Sequence, residues 1–228
     1  MVAPARVARA ARAARATARA PERKRRNTYH HGNLRQALVD QAVKTIRTDG
    51  VEALTLRDVG AHLGVSRTAL YRHFADKQAL LVAVATEGFR VFRRELAEAW
   101  VEAGRGREGF LALGRVYIRF AMQNPSHYRA MFGGYVATGD CGAELDTESE
   151  AGFAVLVDAL VELQQAGLVR RDPPLDLAVF VWGVVHGAAM LAIGGQVPRE
   201  DEAAEAAAAY TSERIWDAVK AAPTARAR

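Results

Sequence analysis

From residue 33 to about residue 220 the apolar side chains recur at intervals of three and four, without a convincing stretch of the strict alternation that a half-buried strand needs. That period restricts the chain to helices packed on helices, so the expected fold class is all-α. Half of the 228 residues are hydrophobic, enough to bury a sizeable core. The single cysteine, Cys141, excludes an internal disulfide and a cysteine-rich zinc site, and fits a reducing compartment.

Charge is unevenly placed. Residues 1–26 hold nine basic side chains and one acidic, residues 27–75 six and four, and residues 76–228 sixteen against twenty-one, so the formal net charge of +5 comes from one end. The first segment repeats Ala and Arg (Arg6, Arg9, Arg12, Arg15, Arg19, then Arg23, Lys24, Arg25, Arg26) and lacks the bulky apolar residues that would offset the entropy of ordering it. It has no apolar run of secretory-signal length, and although its Arg-rich, acid-poor start shares features with organelle transit peptides, a basic disordered arm for a polyanion is the reading adopted. The organisation expected is therefore an arm at 1–26, a small helical domain at 27–75, a larger helical domain at 76–221 and a disordered tail at 222–228.

Capping signals divide the small domain. Asn33 with Gln36 opens a first helix carrying Leu34, Leu38, Ala42 and Ile46 to Gly50. Thr55 with Asp58 opens a short second helix (Leu56, Val59, Leu63), which stops at Gly64. Ser66 opens a brief third with Ala69, Leu70 and Phe74 inward. Two short helices joined by Gly64-Val65-Ser66 and packed on a longer one have the dimensions of a helix-turn-helix. The third helix leaves Ser66, Arg67, Thr68, Tyr71, Arg72 and His73 outside. These are donors and an aromatic ring suited to phosphates and base edges rather than to a merely solvated face.

The run GVEALTLRDVGAHLGVSRTALYRHFADKQALLVAV, residues 50–84, resembles the DNA-binding domain of the TetR/AcrR family of bacterial transcriptional regulators. The resemblance rests on Thr55, the Gly64-Val65-Ser66 turn, the Leu70-Tyr71-Arg72-His73-Phe74 run, Lys77 and Leu80, and with the first helix it covers about residues 29–92. It implies that Thr55, Tyr71, His73 and Lys77 touch phosphates and that Arg67, Thr68 and Arg72 read bases. Gly60, where the family more often has Ala, departs from the pattern and weakens the second helix slightly. Arg23, Lys24, Arg25 and Arg26 either enter the adjacent minor groove or attract phosphate nonspecifically. The adjacent His30 and His31 have no third ligand in sight and make a poor metal site; no cofactor is expected.

Asp76 opens a long fourth helix with the stripe Leu81, Ala85, Phe89, Phe92, Leu96 and Trp100, which links the two domains. A fifth carries Phe110, Leu113, Tyr117 and Phe120 to Asn124-Pro125, and a short sixth runs from Ser126 to about Phe132. Residues 137–148 read as an acidic loop. A seventh helix with Phe153, Leu156, Val157, Leu160 and Leu163 ends at Gly167, an eighth runs from Leu175 to about Ile193, and an Ala-rich ninth from about Glu202 to Lys220. The eighth is uncharged from Leu177 to Gly195, with the spacing Gly183-x-x-x-Gly187. That pattern raises a membrane span, but the Ala and Gly content and His186 in mid-span favour a helix caught between its own domain and a second subunit, and no membrane partner is expected.

The Trp182-Gly183-x-x-His186-Gly187 pattern, with residues 124–133, resembles the family's subgroup whose C-terminal domain is named for its Trp-His-Gly pattern. The family resemblance implies a ligand-binding and dimerisation domain, a homodimer through the last two long helices, and an effector pocket. Candidate pocket residues are Phe89, Phe92, Tyr117, Met122, Tyr128, Met131, Phe153, Trp182, His186 and Met190, with an internal hydrogen bond the simpler partner for His186. No nucleophile elbow or phosphate-binding glycine loop marks an enzyme, and Cys141 reads as incidental. The function expected is a cytoplasmic, sequence-specific, dimeric DNA-binding regulator, in the usual family role a repressor released from a palindromic operator by a small, largely apolar effector. An architectural DNA-binding protein without effector and a membrane-anchored regulator stand as alternatives.

Overall fold

The computed structural model describes residues 34–136, 142–197 and 201–222. The arm, His30, His31 and Cys141 lie outside the described residues. Nine helices are described: α1 Leu34–Asp49, α2 Leu56–Leu63, α3 Arg67–Tyr71, α4 Lys77–Glu102, α5 Gly106–Gln123, α6 Pro125–Phe132, α7 Ala143–Gln165, α8 Pro174–Ile193 and α9 Asp201–Val219. Among the described residues there is no strand, only an isolated bridge between Val169 and Lys220. Arg35–Arg228 group into one compact unit apart from Met1–Leu34, of which Leu34 alone is described.

The first three helices form where their caps place them. Thr55 Oγ1 accepts the Asp58 N–H at 3.1 Å to open α2. Gly64 closes that helix in the left-handed region at φ +65°, a conformation that L side chains rarely adopt. Ser66 Oγ then accepts the Ala69 N–H at 3.2 Å to open α3. Their buried side chains are Ala37, Leu38, Val39, Ala42 and Ile46 from α1, Leu56 and Val59 from α2, and Leu70 and Phe74 from α3 and its exit, while Leu63 and Ala69 are only partly covered. This is a small core, and each large side chain in it contributes about 1.5–3 kcal/mol by leaving water.

Asp76 Oδ1 accepts the Ala79 N–H at 2.8 Å and starts α4, which runs for 26 residues, about 39 Å. Its first half lies beside the small domain, where Gln36 Nε2 on α1 donates to Glu87 Oε2 at 2.8 Å. Its second half buries Phe89, Phe92, Leu96 and Trp100 in the larger domain, packed by α5, α6 and α7. There α5 lies against α8 and α9, and α7 against α8, around a core that includes Phe120, Tyr128, Leu160, Leu163 and Trp216.

One boundary differs from the sequence reading. Helix α7 starts at Ala143, inside the stretch read as an acidic loop, because its acids have structural partners. Glu144 and Glu148, one turn apart, take Arg90 at 2.7 and 3.2 Å, and Glu148 also takes Arg93 at 3.2 Å. Glu144 and Asp146 in the first turn also suit the positive end of the helix dipole.

Helix α8 is two-faced in a way its composition hides. Leu177, Ala178, Val181, Val185, Ala189 and Ala192 are buried in the domain, whereas Leu175, Val179, Phe180, Val184 and Leu191 face outward. By length and composition it is apolar enough to cross a membrane, and its inner face is packed into the core of the larger domain.

Candidate DNA-reading surface and interior cavity

On the helix-turn-helix, burial of Leu70 and Phe74 fixes the rotation of α3 and leaves Arg67, Thr68, Tyr71, Arg72 and His73 exposed together. Tyr71 is 47% exposed, with the Arg67 guanidinium 6.0 Å from its ring centroid. The exposed ring offers a flat apolar face and a hydroxyl to a partner. Thr55 and Ser66, at the two helix starts, already hold backbone N–H groups through their hydroxyls, and Thr55 also donates to Asp58 Oδ2 at 2.6 Å. That bond, the largest cause, holds the Asp58 carboxyl below its usual pKa. Lys77 stands apart from the α3 group. Its Nζ donates to the Glu52 carbonyl at 3.1 Å, and the Glu52 carboxylate accepts the Tyr135 hydroxyl at 2.6 Å.

The larger domain encloses a cavity of about 410 Å³. Phe89, Phe92 and Leu96 come to it from α4, Phe110, Leu113 and Tyr117 from α5, Phe132 from α6, Gly152, Phe153 and Leu156 from α7, Val179, Trp182 and Val185 from α8, and Ile215 from α9. Ser149, Glu150 and Ser212 are the polar members, and the Ser212 hydroxyl is already given to the Ala208 carbonyl at 2.8 Å. Such a chamber holds an apolar body and offers few hydrogen bonds to orient it.

Five of the ten candidate pocket residues meet at this cavity: Phe89, Phe92, Tyr117, Phe153 and Trp182. Tyr128 and His186 stand behind its wall in a polar cluster. Trp182 Nε1–H donates to Tyr117 Oη at 3.0 Å, and Tyr128 Oη donates to Tyr117 Oη at 3.1 Å. His186 Nδ1 lies 2.7 Å from the Tyr128 hydroxyl and 3.1 Å from that of Tyr117. Burial pushes the Tyr117 phenol up to about 12, raises that of Tyr128 further and lowers the His186 imidazole, so all three are neutral at pH 7. Met131 packs beside Gly88 of α4, its Sδ 2.6 Å from where a Cβ there would sit. Met122 borders a separate polar cavity of about 560 Å³ with Arg47, Arg119 and Arg129, and Met190 is on the outer side of α8. The wall residues outside the candidate set, among them Leu96, Phe110, Leu113 and Ile215, lie on the same helical stripes as ordinary core, so no sequence signal sets them apart.

A family model described as bacterial regulatory proteins, tetR family, matches residues 38–84, and one described as tetracyclin repressor-like, C-terminal domain, matches residues 110–215; together they span about two thirds of the chain. The chain belongs to the TetR family. HTH-type transcriptional regulator BetI of Agrobacterium fabrum is 29% identical over 160 residues, 70% of this chain and 73% of that protein. Tetracycline repressor protein class D of Escherichia coli is 30% identical over 88 residues, 39% of each chain. Among solved structures, a protein with unknown function from Rhodococcus sp. RHA1 has a TM-score of 0.74 at 30% identity, covering 85% of this chain and 98% of that one. This TetR-family chain is thus a transcriptional regulator with a DNA-binding helix-turn-helix, and its relatives are regulators rather than enzymes. The N-terminal match takes in α2, α3 and their turn; the C-terminal match takes in both the 124–133 stretch and the Trp182–His186 pattern.

Proposed function

We propose that the chain is a homodimeric repressor, working in the cytoplasm, that leaves a palindromic operator when a small, largely apolar effector enters the cavity between α4 and α8. The observation that carries this reading is the course of α4. One unbroken helix starts three residues after Phe74, just past the exit of α3, and places Phe89, Phe92 and Leu96 on the cavity wall. An occupant that shifts that wall acts on the same helix that begins beside the exit of α3, which gives it a route to the DNA-reading face. The relatives named tetracycline repressor support the sign of the control.

In this reading Arg67, Thr68 and Arg72 read base edges, and Thr55, Ser66, Tyr71, His73 and Lys77 hold the sugar-phosphate backbone. Lys77 exchanges its bond to the Glu52 carbonyl for a phosphate. The second copy sits on the outer face of α8 and on α9. There Leu175, Val179, Phe180 and Val184 are exposed, and a Cβ at Gly183 or Gly187 would meet nothing within 4 Å in the single subunit, which leaves room for close helix approach. Two subunits joined there would present two copies of α3 about one DNA turn, roughly 34 Å, apart.

The test is fluorescence anisotropy of the full chain against DNA from just upstream of its own gene and against scrambled DNA, across a salt series, with sedimentation velocity for the assembly state. A preference of about a thousandfold or more in a dimer supports the reading. Equal, steeply salt-dependent binding to both DNAs overturns sequence-specific recognition of that site.

A further inference from the structure

We propose that the occupant of the α4–α8 cavity is an amphipathic cation, with an apolar body seated among the aromatic walls and a positive head at Glu150. The proposal rests on reading this cavity as the effector site, and adds to it the charge of the ligand.

The cavity wall contains no Lys, Arg or His among the described residues, and its one ionisable carboxylate is Glu150. Elsewhere on α7, Glu144 and Glu148 are matched by Arg90 and Arg93, and Glu162 by Arg105 at 2.7 Å. Glu150 has no ion-pair or hydrogen-bond partner among the described residues and is exposed, so its carboxylate stands at the mouth, where solvent meets the apolar chamber. Phe89, Phe92, Phe132, Phe153 and Trp182 line the interior and form the walls for the apolar body.

An anionic head fares worst here. The Trp182 N–H and the Tyr117 hydroxyl are already engaged with each other, so a buried carboxylate would lose its hydration with no cation to replace it, and at the mouth it would meet Glu150. A neutral alcohol escapes that repulsion but gains nothing from Glu150. An ammonium head in the same place gains the carboxylate while keeping part of its water.

The experiment is calorimetric titration of the full chain with decylammonium, decan-1-ol and decanoate, each below its micelle concentration, so that only the head group changes. It is repeated with Glu150→Gln and with Gly152→Leu. Gly152 lines the chamber, and a Cβ there would sit 3.8 and 3.9 Å from Phe92 and Phe89, so a larger side chain takes up chamber space. Decylammonium is expected to bind at least about tenfold more tightly than decanoate, with decan-1-ol between them. Glu150→Gln should erase the advantage of decylammonium over decan-1-ol, and Gly152→Leu should abolish binding of all three. Equal affinities that Gly152→Leu still abolishes overturn the charge assignment and leave the cavity reading standing. A preference for decanoate, or a cation preference that survives Glu150→Gln, overturns the charge assignment as well. No binding by any of the three, or binding that Gly152→Leu leaves intact, removes the cavity reading and this proposal with it.

Discussion

In the helix-turn-helix the side chains proposed to act are those the core leaves out, whereas in the larger domain they are among those it contains. Tyr71 is 47% exposed beside Arg67 and Arg72, while Phe92 and Tyr117 are 4% and 6% exposed. A DNA-reading surface must be wet and charged, so it is built from residue types that folding alone would not choose at those places. An effector chamber is made from the same Phe, Leu and Val that fill ordinary cores, and differs from core only in the volume left empty. One consequence is that surface function can be removed without touching stability, whereas the apolar walls of the cavity cannot be altered without some change in packing.

The largest expected effect tests the first half of that contrast. Replacing both Arg67 and Tyr71 by Ala should weaken operator binding by about a hundredfold or more, each base or backbone contact being worth roughly 1–3 kcal/mol. The urea midpoint should move by less than about 0.5 kcal/mol of stability, since both side chains are exposed. Anisotropy and urea unfolding on the same samples check it, and a large loss of stability would mean that this face also supports the fold.

That contrast also sets how much could be read from the sequence. The caps at Thr55, Ser66 and Asp76 and the stripe Phe89, Phe92, Leu96, Trp100 were legible because each is a local rule, hydrogen bonding over three residues or burial at helical spacing. The exposed face of α3 was legible for the same reason, since fixing Leu70 and Phe74 inward fixes the rest. The cavity was legible only in part. Phe153 and Trp182 stand out by their size, but Leu113 and Ile215 reach the same space from α5 and α9 by long-range packing that spacing along one helix does not encode. The start of α7 was missed because Glu144 and Glu148 look like loop acids until Arg90 and Arg93, more than fifty residues away in sequence, are seen opposite them.

A smaller effect probes the second half. Tyr128 is fully buried, and its hydroxyl meets both Tyr117 and His186. Tyr128→Phe should lower the unfolding free energy by about 1–3 kcal/mol, because His186 Nδ1 and Tyr117 lose a buried partner while the ring volume is kept. It should also shift effector response through Tyr117 and Trp182 on the cavity wall, a coupling that the Arg67 and Tyr71 changes would not show. Urea unfolding with and without decylammonium reads both.

Acid probes the interior of the larger domain. Burial lowers the pKa of His186, and also that of His127, where it outweighs the opposing pull of Glu87 and Asp40; His127 Nε2 is buried with no hydrogen-bond partner among the described residues and lies 4.0 Å from Glu87. Both imidazoles are therefore neutral in the folded state at a pH where the unfolded chain already binds protons. Stability from this source is complete above the ordinary value of 6.5 and is lost as pH falls from there through the lowered folded pKa values. Urea midpoints measured downward from pH 7.5 should decline across that window. His127→Gln and His186→Gln should each flatten the slope.

The smallest effect concerns Gly60, a glycine in the middle of the first helix of the helix-turn-helix pair. In the middle of α2 a glycine costs about 1 kcal/mol of helix propensity relative to alanine. Here, however, it is buried where α2 meets α3, and a Cβ would come within 3.2 Å of Leu70 Cδ2 and 3.6 Å of Val65 Cγ2. The first distance requires Leu70 to give by a few tenths of an ångström, and Leu70 is the side chain that sets the rotation of α3. Propensity gain and packing strain thus oppose each other, and Gly60→Ala should change the unfolding free energy by less than about 1 kcal/mol. Its effect should be clearer on DNA. A shift of Leu70 turns Arg67 and Tyr71 on the same short helix, so operator affinity should fall severalfold while nonspecific affinity at matched salt stays constant. If operator and scrambled DNA weaken together, Leu70 does not steer the reading face, and the separation drawn between surface function and core packing is sharper than α3 requires.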